Sequence, residues 1–108
     1  MKPSERFEKS ITKDNLWLYI LSLLTSREMY GYEIRQEVKK NFGFVPGQIT
    51  AYIVLKRLCA GGYIKITKRA QADGPPRTYY AITDKGRAEL AKAERVWQDL
   101  KIFKKFKL

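Results

Sequence analysis

Apolar positions along the chain change period more than once. From Leu16 to Leu24 almost every residue is apolar: Leu16, Trp17, Leu18, Tyr19, Ile20, Leu21, Leu23 and Leu24. The spacing predicts a first helix to about Ser26, with Asp14 placed as its N-cap. A helix with no polar face is buried on several sides, which in so short a chain points to burial by a second subunit. A second helix is predicted over Tyr30 to Phe42, where Ile34, Val38 and Phe42 recur every four residues and Gly43 suits the C-terminal cap. Phe44-Val45-Pro46-Gly47 breaks it. A third helix is predicted over Gln48 to Ala60, with Ile49, Tyr52 or Ile53, Leu55 or Lys56, and Leu58-Cys59 as its apolar stripe and Gly61-Gly62 as its end.

The period then drops to two. Tyr63 to Arg69 alternates, with Ile64 and Ile66 on one face and Lys65 and Thr67 on the other, as a strand does. Gln71 to Pro76 has turn composition, and Arg77 to Thr83 is a second β-rich run, so the two strands form a hairpin. Thr83 or Asp84 caps a last helix from about Lys85 to Phe106, striped by Leu90, Ala93, Trp97, Leu100 and Phe103. Residues 1–13 are polar apart from Phe7 and Ile11, and read equally as a helical lead-in or a loose arm. The predicted class is mainly α with a small β-hairpin, in the order α-α-α-β-β-α of a winged helix-turn-helix. Residues 1–83 carry this order up to the hairpin, and residues 84–108 the last helix.

Composition narrows the partner. The chain has 108 residues, about one domain. It carries 22 Lys and Arg against 11 Asp and Glu, a formal net charge of +11, which suits a polyanion. There is no His and a single Cys, Cys59, so an intramolecular disulfide and a Cys/His metal site are both excluded and no cofactor is expected. An enzyme would have to work with carboxylates, which show no clustering. The apolar run at Leu16–Leu24 is about half the length of a membrane span, and the expected setting is the cytoplasm. The charge is also uneven. Between Gly47 and Thr83 there are six basic residues and one acid; between Leu16 and Pro46 there are four and three. A basic third helix and hairpin are what phosphate contacts require. A second basic cluster at Lys101, Lys104, Lys105 and Lys107 reads as a solvated tail.

Four segments resemble the PadR family of transcriptional regulators. Met29-Tyr30-Gly31-Tyr32-Glu33-Ile34 is similar to the opening of that family's second helix, and Thr50-Ala51-Tyr52-Ile53-Val54-Leu55-Lys56-Arg57-Leu58 to its recognition helix. Gly62-Tyr63-Ile64 is similar to its Gly-Leu-Ile. Pro76-Arg77-Thr78-Tyr79-Tyr80-Ala81-Ile82-Thr83-Asp84-Lys85-Gly86 resembles its wing. The matches run in order from about Leu16 to Leu90. Ile53 stands where the family often has Pro, and Cys59-Ala60-Gly61 replaces a stretch that is usually acidic. With one helix after the wing, the chain is similar to the short members. The resemblance implies a homodimeric regulator, a repressor by expectation, that binds a palindromic operator in double-stranded DNA and dimerises through its last helix.

Candidate residues follow. By resemblance Thr50 and Tyr52 contact DNA, although Tyr52 also fits the core stripe. The Gln48 amide suits adenine. One of Lys56 and Arg57 faces phosphate, Lys56 by preference, and the other pairs with an acid. Lys68, Arg69 and Arg77 flank the wing tip. Tyr30 is a further candidate beside Gly31, whereas Tyr32 is assigned to the core. Trp17, Tyr19, Leu21, Trp97, Leu100, Phe103 and Phe106 mark a dimer interface, or a pocket for a small planar apolar effector. Cys59 reads as a buried structural thiol. The rival function, resting on net charge, is a sequence-neutral architectural nucleic-acid binder.

Overall fold

The structure is a computed structural model and describes residues 1–71 and 74–105. Ala72 and Asp73 of the expected turn, and Phe106 and Lys107 of the tail, lie outside the described residues. The elements are α1 (Pro3–Ile11), α2 (Leu16–Leu24), β1 (Met29–Tyr30), α3 (Gly31–Phe42), α4 (Gln48–Ala60), β2 (Ile64–Ala70), β3 (Arg77–Ile82), α5 (Asp84–Leu100) and α6 (Ile102–Lys105). The strands form one antiparallel sheet in the order β1-β3-β2. This mainly helical winged helix is the class read from the sequence, with a third strand added.

Each helix boundary has a local cause. Pro3 starts α1, where its missing N–H costs nothing. Asp14 does not cap α2: it sits in a short 3-10 turn over Lys13–Asn15, and Asn15 takes the cap position. Tyr30 caps α3, and its amide donates to Glu33 Oε1 at 3.4 Å. Gly43 ends α3 with φ of 81°, a left-handed conformation that glycine adopts without strain. Thr83 caps α5 by accepting from the Gly86 amide at 3.1 Å, and its hydroxyl donates to the Gly62 carbonyl at 2.6 Å. Lys85 donates to the Gly61 carbonyl at 2.6 Å, so the end of α4 and the start of α5 are tied together. Gly86 is required at this junction. A Cβ there would lie 2.1 Å from the Tyr63 carbonyl oxygen.

The core joins α2 (Leu16, Ile20, Leu21, Leu24), α3 (Ile34, Val38) and α4 (Ala51, Leu55, Leu58) to Met29, Ile64, Tyr80 and Ile82 of the sheet. Leu21 has no accessible surface and belongs to this core, not to an interface. Tyr19 also turns inward, stacking edge-on against Phe42 and Phe44 with centroids 4.8 and 5.0 Å away. So α2 is covered mostly by its own chain. In β2 the alternation fails after Ile64: Ile66 is exposed, and the register slips between Ile66 and Lys68, leaving Thr67 as an extra residue. The last helix ends sooner than its apolar stripe suggested. Lys101 adopts a left-handed conformation with φ of 46° and separates α5 from α6.

Candidate nucleic-acid interface

α4 buries the stripe 51-55-58, with Val54 and Cys59 partly covered. The stripe proposed from the sequence was rotated from this: Ile49 is 76% exposed and Ile53 43%. Two positions along a helix is about 200° of rotation, so burying Ala51 turns Ile49 outward. The exposed side therefore carries Gln48, Ile49, Thr50, Tyr52, Ile53, Lys56 and Arg57. Tyr52 lies outside the core, and the Lys56 ammonium stands 5.3 Å from its ring centroid, one turn on. The expected partnership of Lys56 or Arg57 with an acid is not found among the described residues. No acid lies on α4. Cys59 is half-buried, and that burial raises its thiol pKa, which suits a packing role rather than a reactive one.

Two of the hairpin cations are held on aromatic rings. Arg77 lies over Tyr30 at 4.6 Å and Lys68 over Tyr79 at 4.5 Å, while Tyr30 and Tyr79 contact each other at 5.3 Å. β3 brings these groups together, since Tyr79 pairs with Tyr30 on one side and with Lys68 on the other. Tyr30 is half-buried under Arg77 and acts as its support. Lys68 is not a free cation: its ammonium is 3.4 Å from Glu28 Oε1, and Thr67 donates to Glu28 Oε2 at 2.6 Å. The Thr67 hydroxyl, followed by Lys68, holds the Glu28 carboxyl below the usual glutamate range against the opposing pull of desolvation. Arg69, opposite Thr78, is exposed and has no acidic partner among the described residues. Tyr32 was assigned to the core and is instead 61% exposed.

Away from the residues of α4 and the hairpin, α2 and α5 leave an open groove of about 750 Å³. Trp17, Leu18, Leu90, Ala93, Val96 and Trp97 line it. Leu100 and Phe103 continue its apolar character along α5 and α6, at 49% and 65% exposure. Among the described residues no group of three or more potential metal ligands occurs, and no helix is long and apolar enough to cross a membrane.

The comparisons with known proteins agree with this geometry. The model of the transcriptional regulator PadR-like family matches residues 20–92. The chain belongs to the PadR-like family of transcriptional regulators. The match runs from the middle of α2 to the middle of α5, so it includes α4 and the wing of this PadR-like chain. An uncharacterized protein of Lysinibacillus sphaericus is 34% identical over 93 residues, which is 84% of this chain and 85% of that protein. A transcriptional regulator from Clostridium thermocellum superposes with a TM-score of 0.76 at 30% identity, covering 92% of this chain and 99% of that one. Bacillus subtilis PadR, solved in complex with operator DNA, superposes with a TM-score of 0.67 at 28% identity. That similarity covers 76% of this chain and 48% of the Bacillus protein. PadR-like proteins are transcription regulators, not enzymes.

Proposed function

We propose that this PadR-like regulator acts in the cytoplasm as a homodimeric repressor that binds a near-palindromic operator. α4 of each subunit enters a major groove, with Gln48, Thr50 and Tyr52 toward the bases and Lys56 and Arg57 toward phosphate. Arg69 and Arg77 of the wing grip the flanking backbone, supported by Lys68. The observation that carries this reading is the exposed side of α4, which has cations and no acid and runs on into a basic hairpin. The operator complex of the Bacillus relative supports it. Repression follows from occupancy, since a bound dimer obstructs the promoter it covers.

Residues 1–83 make the DNA-binding part and residues 84–108 the pairing helix. A second copy covers the α2–α5 groove, where Trp17 and Trp97 supply large apolar area to an interface. The same groove is the surface that a flat apolar effector would enter.

Selection from a random duplex library at about 150 mM salt tests the proposal. The expected result is a symmetric motif with half-sites about 10 bp apart or a multiple of that. Retention of DNA without an enriched motif would replace it with the sequence-neutral reading that the +11 charge alone favours. No retention would overturn DNA binding itself.

A further inference from the structure

Ile49 and Ile53 are four residues apart, so they stand one above the other on a single face of α4. Single exposed apolar side chains are ordinary, but two adjacent ones in the first turns of a helix flanked by cations are not. These are the turns that a winged helix offers to base edges. Gln48 and Thr50 lie beside the pair, and Lys56 and Arg57 beyond it, all exposed. A protein partner is disfavoured here, because interface centres are depleted in charge and the charge beside this pair, at Lys56 and Arg57, is all of one sign. Charge of that sign fits a polyanion. In the major groove of DNA, the apolar group that a side chain meets is the C5-methyl of thymine.

We infer that Ile49 and Ile53 are specificity residues that read thymine methyl groups in each half-site. The inference rests on the proposed placement of α4 in the major groove. Side chains on successive helical turns are about 6 Å apart. A base step rises about 3.4 Å along one strand. The two methyls therefore lie one or two steps apart. Gln48 and Thr50, at the edge of the pair, take the neighbouring polar base edges. The departure at position 53 gives the face its second methyl-reading group, since Ile53 stands where the resembled family often has Pro.

The test uses the full chain and the duplex that selection enriches. Each thymine is replaced in turn by deoxyuridine, which keeps every hydrogen-bonding edge and lacks only the methyl. One or two positions per half-site should lose about fourfold in affinity, the worth of one buried methyl. In Ile49→Ala and Ile53→Ala, whose positions are exposed and whose fold is checked by circular dichroism, the matching uridine should cost nothing further. Indifference to every uridine while duplex binding persists would overturn this inference and leave the DNA-binding proposal standing. A uridine penalty unchanged in both alanine variants would also overturn it, by assigning the methyl contact to another side chain. Alanine variants that keep the penalty but lose self-association would reassign the pair to a contact between copies. Failure to bind any duplex would remove the DNA-binding proposal and this inference together.

Discussion

α4 and α5 both expose more apolar surface than a single chain covers, yet the charge around that surface differs. On α4, Ile49, Tyr52 and Ile53 sit among Gln48, Thr50, Lys56 and Arg57, with no acid on the helix. On α5, Val96, Trp97 and Leu100 are about half exposed, and the helix mixes Glu89, Glu94 and Asp99 with Lys92 and Arg95. The first frame repels a like copy and attracts a polyanion. The second is near neutral, which suits the proposed pairing with a second copy. Clustered exposed apolar groups mark a surface that suits a partner, and the charge around them narrows its kind.

The largest effect that would break this contrast is expected at Gly86. Gly86→Ala would drive a Cβ to 2.1 Å from the Tyr63 carbonyl oxygen and 2.8 Å from Ile82 Cγ1, and the Tyr63 backbone has little room to relax. The variant should lose more than about 3 kcal/mol in urea unfolding, taking the α5 surface with it. A loss below about 1 kcal/mol would mean that the α5 junction is looser than described. Next in size, Trp97→Ala should weaken self-association about 30-fold or more in analytical ultracentrifugation, with little dependence on salt. An unchanged dimer would move the pairing surface elsewhere.

Lys56→Ala should act on the other surface only. Duplex affinity should fall about fivefold and the salt slope should become shallower by about one ion, with the dimer intact. The smallest change is expected from Glu28→Gln, which frees Lys68 and should raise duplex affinity by less than about threefold. The pH dependence of that link has a definite sign. Because the native Glu28 pKa lies below its unfolded value, the link is complete above the usual glutamate range and is lost as pH falls through the lowered native value. Titration of the Glu28 carboxyl by NMR checks this, and a value at or above the usual range would contradict it.

Much of the fold was legible because periodicity is an adequate guide where one face is buried. α4 begins and ends where the sequence placed it, at Gln48 and Ala60, and α3 differs only in that Tyr30 is its cap. The Thr83 cap was one of two expected. β1 was missed because a two-residue strand has no period to detect. The extent of the last helix was overestimated, because a left-handed lysine at position 101 leaves no mark in an apolar stripe. The candidate site was legible in charge and less so in orientation. Phase within α4 decides whether Ile49 is core or surface, and with Ile49, Ile53, Leu55 and Leu58 all apolar the sequence offers more than one phase. The structure resolves it at position 51, where Ala51 is 2% exposed and sets the buried face together with Leu55 and Leu58. Leu21 was drawn to the interface by the all-apolar character of α2, although it is fully buried in the chain's own core, whereas Tyr19 both packs on Phe42 and Phe44 and borders the α2–α5 groove.

Amide hydrogen exchange, followed across protein concentration with and without an enriched duplex, tests the division between the two surfaces most directly. The account predicts that duplex protects residues 48–57, 64–70 and 77–82, while rising protein concentration protects residues 90–100. Duplex protection centred on α5, or concentration-dependent protection centred on α4, would contradict it.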